Sequence, residues 1–144
     1  MAGVLLDTNA LIWLLAGDPL DEAALFVVAQ AQADGMLFVS PISAWEAALA
    51  LQKRNPVRRP NLGGLDAAEC FARGRRNLGA RLATISQAVA LEAARVPASY
   101  SNGDPGDCFL IATARVRSQS LVTRDAEILD LAAKRPDYLS AIRC

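Results

Sequence analysis

Short apolar runs, separated by longer stretches with helical spacing, limit the fold of this chain more than any other feature. The runs fall at 4–6 (VLL), 36–39 (MLFV), 82–85 (LATI), 121–123 (LVT) and 139–142 (LSAI). Between them lie helical patterns at 10–15, 20–33, 42–52, 65–77, 87–95, 108–116 and 126–132. Helix-rich segments between short apolar strands predict an α/β fold with a mostly parallel central sheet. The stretches 54–64 (RNPVRRPNLGG) and 96–106 (VPASYSNGDPG), punctuated by proline and glycine, read as loops. At 144 residues the chain is expected to form a single domain, 1–144.

What the chain lacks excludes several chemistries. It contains no histidine, which rules out Ser-His-Asp and Cys-His catalysis and an H-E-x-x-H zinc site. Lys53 and Lys134 are its only lysines, and neither a G-x-x-x-x-G-K-[ST] loop nor a G-x-G-x-x-G turn occurs. Catalysis would therefore rest on carboxylates, hydroxyls, arginines or a metal bound through oxygen. Cys70, Cys108 and Cys144 are odd in number and widely spaced, which fits free thiols in a reducing cytosol. The longest apolar runs, 10–16 and 23–29, are too short to span a bilayer, and no basic n-region precedes the first of them. A cytoplasmic protein is expected. Formal net charge is zero, so the chain is not uniformly basic, yet Lys53, Arg54, Arg58 and Arg59 cluster around two prolines. Arg73, Arg75, Arg76 and Arg81 follow. These are either solvated faces or a local edge that contacts phosphates.

The acids stand where the predicted strands hand over to helices. Asp7 ends the first run, Glu46 lies one turn into the helix after the second, and Asp125 follows the fourth. Asp104 and Asp107 bracket D-P-G-D at the start of another helix. Each has a capping explanation: Asp7 and Asp125 as N-caps, Ser43 with Glu46 as a capping box, Asp104 as an N-cap before Pro105. In parallel α/β sheets, however, these strand ends gather on one edge, where ligands bind. There the acids would crowd, and two carboxylates about 4 Å apart repel by about 4 kcal/mol at an effective dielectric near 20. Clustered acids with no lysine or histidine to neutralise them favour a hard divalent cation, Mg²⁺ or Mn²⁺.

The segments LLDTNALIWLL, SAWEAALALQKR, DPGDCFLIATAR and LVTRDAEI occur in the order and spacing of PIN-domain ribonucleases. The chain resembles the VapC-type toxins of bacterial toxin–antitoxin pairs from residue 3 to about 142. That resemblance implies a three-layer α/β/α PIN-like fold and an acidic site on Asp7, Glu46, Asp107 and Asp125, with Asp104 beside it. Thr8 or Thr123 would add a hydroxyl. It also implies Mg²⁺-dependent (or Mn²⁺-dependent) endoribonuclease activity, a homodimer and a small cognate VapB-type antitoxin. Apolar surface around 11–15 and 49–51 would hold the antitoxin's helix. The chain departs from the family pattern at Asn9, where such toxins often carry histidine. It departs again at Asn102, Gly103 and Gly106, where the family often has His-Arg and an aromatic around the acid pair. These departures bear on contacts to RNA. Two alternatives use the same acids differently: a PIN-like RNA-binding module without catalysis, and a receiver-type signalling domain.

Overall fold

The computed structural model describes residues 3–144. Its five strands are β1 (Val4–Leu6), β2 (Leu37–Val39), β3 (Arg81–Leu82), β4 (Ser120–Thr123) and β5 (Ser140–Arg143). The helices are α1 (Thr8–Ala16), α2 (Glu22–Ala33), α3 (Pro41–Leu51), α4 (Ala67–Leu78), α5 (Gln87–Arg95), α6 (Pro105–Arg117) and α7 (Ala126–Lys134). The sheet runs β3-β2-β1-β4-β5 and every pairing is parallel. A receiver domain follows the order 2-1-3-4-5, so that alternative does not match this topology.

Strand β1 is the centre of the sheet. Leu5 is in register with Phe38 of β2 on one side and Leu121 of β4 on the other. All three β1 residues are buried, so side chains pointing to both faces are covered. Leu5 and Leu121 belong to a core cluster with Val89, Ala93, Ile111 and Ile128, beneath α5, α6 and α7. Val4 and Leu6 belong to a second cluster with Leu11, Ala24, Val28 and Leu37, beneath α1 and α2. Helices therefore cover both faces, as a parallel sheet requires. Helix α3 contacts α1, α4 and α6. The chain builds outward from β1 to β2 and β3, then returns to place β4 on the other flank of β1. The crevice between β1 and β4 is a topological switch point, where open α/β sheets bind ligands.

Several boundaries differ from the sequence expectation for local reasons. The third strand is only Arg81–Leu82: after Ala83 N–H donates to the Val39 carbonyl, the chain turns away and Ser86 caps α5. Helix α6 begins at Pro105, because Asp104 caps it and proline is accepted at the first helical position. The two loops contain short 3₁₀ turns at Pro56–Arg58 and Val96–Ala98. The capping box at Ser43 and Glu46 does not form. Ser40 is the N-cap of α3, its hydroxyl accepting from Ile42 N–H at 3.1 Å, with Pro41 at the first position. Ser43 and Glu46 are left to other partners. Leu11, expected on an exposed surface, is a core residue at 3% exposure. The three cysteines are free and buried. Among the described residues no helix is long and apolar enough to cross a membrane.

Because the two core clusters lie on opposite faces, Leu37→Ala and Ile111→Ala should each destabilise the protein by about 2–5 kcal/mol. Combined, their effects should add to within about 0.5 kcal/mol in urea unfolding. A clear shortfall from additivity would show that the two faces form one coupled core.

Candidate metal centre

The five acids come from four places in the fold, Asp104 and Asp107 sharing the start of α6, and most are fixed by backbone N–H groups. Asp7 follows β1 and caps α1, its Oδ1 accepting from Ala10 N–H at 2.7 Å. Asp125 follows β4 and caps α7, its Oδ1 accepting from Glu127 and Ile128 N–H at 2.9 and 3.0 Å. Asp104 caps α6 through Asp107 N–H at 3.1 Å. The acids thus serve as caps and still face a common cavity, because capping occupies one oxygen of each carboxylate.

That cavity, of about 530 Å³, is lined by Asp7, Glu46, Asp104, Asp107 and Asp125. Within it three of them draw close: carboxylate oxygens of Glu46, Asp104 and Asp107 lie within 4.8 Å of one another. Asp7 and Asp125 share the cavity but stand outside this trio. Among the described residues none of the five forms an ion pair.

Their protonation reflects that crowding. Burial, reinforced by the charges of Asp104, Asp125 and Glu46, pushes Asp107 up to about 6, against the opposing hydrogen bond from Tyr100. Burial also raises Glu46, with Thr8 opposing and Asp104 and Asp7 adding to the rise. Asp7 is raised by burial above all; Thr123, Ala10 N–H and the Arg124 charge oppose it. Arg124 does not neutralise the site directly. Its Nε donates to the Cys144 carbonyl at 2.7 Å and its guanidinium lies 3.9 Å from the centre of the Trp13 ring.

Hydroxyls hold the acids in place. Thr8 donates to Glu46 Oε1 at 2.6 Å and lies 3.0 Å from Ser43 Oγ. Thr123 Oγ1 accepts from Asp125 N–H at 3.0 Å, and its hydroxyl is near enough to Asp7 to oppose the rise of that carboxyl. Tyr100, buried in the loop before α6, donates to Asp107 Oδ2 at 2.8 Å. The sequence points to both threonines but not to Tyr100, which lies seven residues before Asp107 in an aperiodic loop. No local pattern marks it.

The donor set fits Mg²⁺ or Mn²⁺. All contributions are carboxylate oxygens, and at Mg–O distances near 2.1 Å two opposed ligands stand about 4 Å apart. The trio's spread is only slightly wider than that.

The same cavity also carries basic residues. Lys53, Arg58 and Arg59 line it, with Arg59 Nε anchored on the Lys53 carbonyl at 2.8 Å. Trp45 and Leu49, both nearly half exposed, line the cavity as well. The second basic group does not join them: Arg75 donates to the Ala80 carbonyl, Arg81 packs on Phe38, and Arg73 lines a separate cavity between α1 and α4.

Solved structures of similar fold include DNA-bound VapBC from Salmonella typhimurium, at 17% identity and TM-score 0.64, covering 99% of this chain and 98% of that one. FitAcB from Neisseria gonorrhoeae is 20% identical with TM-score 0.61, covering 96% of each chain. A toxin–antitoxin complex from Klebsiella pneumoniae is 25% identical with TM-score 0.56, covering 85% of this chain and 87% of that one. No curated protein sequence matches significantly. The PIN domain family model matches residues 4–134, a span running from β1 through α7 and including every acid of the cavity. The chain belongs to the PIN domain family.

Proposed function

We propose that this protein is a metal-dependent endoribonuclease and the toxin of a toxin–antitoxin pair. The observation that carries the reading is the unneutralised trio of Glu46, Asp104 and Asp107, set in one cavity that Lys53, Arg58 and Arg59 also line. The acids suit a hard cation and the bases suit phosphates.

In this reading Glu46, Asp104 and Asp107 hold Mg²⁺ or Mn²⁺, with Asp7 behind them. When bound, the cation supplies Lewis acidity toward a phosphate oxygen and favours ionisation of a water. Asp125, whose Oδ1 is occupied by two N–H groups, orients that water and accepts its proton at Oδ2. The water oxygen bonds to phosphorus, the P–O3′ bond breaks, the departing 3′-oxygen takes a proton from solvent, and the products carry a 5′-phosphate and a 3′-hydroxyl. Tyr100 keeps Asp107 Oδ2 engaged, so Oδ1 is the oxygen free for the cation. Lys53, Arg58 and Arg59 take phosphates flanking the scissile one, and the exposed face of Trp45 gives a neighbouring base a surface to stack on.

The toxin reading draws on the structural neighbours, which are themselves VapBC, FitAB and toxin–antitoxin complexes. An acidic cavity is blocked most effectively by a cation, so an arginine of the antitoxin would enter it. Trp45 and Leu49, exposed beside the acids, would receive the antitoxin's apolar side chains.

Cleavage of RNA should require Mg²⁺ or Mn²⁺ and stop on addition of EDTA, read on a denaturing gel. EDTA-resistant cleavage would remove the metal reading, and metal-dependent binding without cleavage would favour a non-catalytic RNA-binding module.

Stability should follow the same carboxylates. Asp107 binds its proton more tightly folded, near 6, than at the ordinary 3.8 of the unfolded chain. Between those values the folded state holds the excess proton, so metal-free protein should gain stability as pH falls from about 6 to about 4 and lose it as pH rises. Asp107→Asn should flatten that dependence. In EDTA at neutral pH, Asp107→Asn and Asp7→Asn should melt at or above the wild-type temperature while losing most of the Mg²⁺-induced rise. Variants that melt lower yet keep the full rise would mark these acids as caps only.

Arg58→Ala with Arg59→Ala should weaken RNA binding and reduce the slope of log affinity against log salt by about 0.7 for each phosphate no longer neutralised. An unchanged slope would place the phosphates elsewhere.

A further inference from the structure

Each of the three close carboxylates has one oxygen committed to a donor of the protein. Glu46 Oε1 accepts from Thr8 at 2.6 Å, Asp104 Oδ1 from Asp107 N–H at 3.1 Å and Asp107 Oδ2 from Tyr100 at 2.8 Å. Among the described residues the second oxygen of each has no hydrogen-bond partner. The trio therefore offers a ligand one oxygen per residue.

Tyr100 is the donor least able to move. Its ring is buried at 3% exposure, in the core cluster that also holds Val96 and Cys108. Its backbone is tied in both directions: the N–H donates to the Val96 carbonyl at 2.8 Å, and the carbonyl accepts from Gly103 N–H at 3.2 Å. The hydroxyl is thus held by the core and cannot follow Asp107 if the carboxylate turns. Thr8, also buried, stands in the same relation to Glu46 from the first turn of α1.

Coordination separates the hard cations that such a trio could hold. Mg²⁺ demands a near-ideal octahedron and keeps several waters in it, so single carboxylate oxygens suffice. Ca²⁺ takes about six to eight oxygens and draws readily on both oxygens of one carboxylate. A carboxylate whose second oxygen is held by a fixed donor must give up that hydrogen bond before it can chelate.

We propose that the hydroxyls of Tyr100 and Thr8 set the cation selectivity of the site. By keeping Asp107 and Glu46 as one-oxygen ligands, they discriminate against Ca²⁺ in favour of smaller octahedral cations. Both are positioning residues, acting through the carboxylates they hold. This inference rests on the metal-dependent reading given above.

The test titrates Mn²⁺ and Ca²⁺ by calorimetry into metal-free protein, without RNA, for wild type, Tyr100→Phe, Thr8→Val and Thr8→Ser. Its readout is the ratio of the two dissociation constants. Wild type should bind Mn²⁺ more tightly than Ca²⁺. Tyr100→Phe, which keeps the ring and removes the donor, should shrink that preference about tenfold, the scale of a lost outer-shell partner. Thr8→Val should shrink it as well, and Thr8→Ser, which keeps a hydroxyl, should retain the wild-type ratio. Melting in EDTA checks that each variant is folded; should Tyr100→Phe not fold, the two Thr8 variants decide. Hydroxyls that serve only the structure would weaken both cations by the same factor, and an unchanged ratio in Tyr100→Phe and Thr8→Val would overturn the proposal. So would a wild type with no preference for Mn²⁺. Selective Mn²⁺ binding without RNA cleavage would instead overturn the ribonuclease reading and leave the selectivity standing. A wild type that binds neither cation would overturn the metal-dependent reading and this proposal together.

Discussion

Parallel pairing of β1 with β2 on one side and β4 on the other is the constraint on which this structure depends. It seats three apolar residues in the middle of the sheet and delivers Asp7 at a fixed height on its carboxyl edge. The same pairing sets β4 beside β1, so that Thr123 comes near the Asp7 side chain and Asp125 lines the same cavity. Because β1 is buried on both faces and bonded on both sides, Asp7 cannot relax away from its neighbours. The core thereby holds like charges close together.

That confinement sets the chemistry of the cavity. Carboxylates free to move would spread apart; here burial and mutual repulsion instead raise Asp7, Glu46 and Asp107, Asp107 to about 6. Backbone N–H groups at the starts of α1, α6 and α7 offset part of the repulsion. Capping and site-building are therefore complementary in these residues. One oxygen satisfies the orphan donors of a helix and fixes the side chain, and the other stays available to a ligand. Glu46 differs, because it lies within α3 and depends on Thr8.

Much of the fold is legible locally. The runs VLL and LVT carry strands because they are short, apolar and flanked by helical periodicity, and the structure places β1 and β4 within one residue of those runs. The run at 82–85 overstates its strand, since an edge strand needs only a few ladder bonds before the chain turns toward Ser86. Ser43 and Glu46 imitate a capping box because S-x-x-E is a local pattern, whereas Ser40 followed by Pro41 provides the stronger cap three residues earlier. Tyr100 is illegible in the sequence. Its significance lies in its hydrogen bond to Asp107, and nothing in the spacing of a loop tyrosine announces such a contact.

The sequence by itself determined the kind of chemistry open to this protein. With no histidine and with acids where strands hand over to helices, the residues left open carboxylate chemistry or a metal bound through oxygen, and the alternation of runs pointed to a parallel α/β sheet. Only the tertiary structure decided which acids meet. Glu46, Asp104 and Asp107 form the close trio while Asp7 and Asp125 stand back, and Lys53, Arg58 and Arg59 rather than the second arginine group face them. The physical reason is that residue type and local periodicity select elements one at a time. Distances between carboxylates are set by strand order and by how closely α3 approaches α6, which depend on the packing of the whole core.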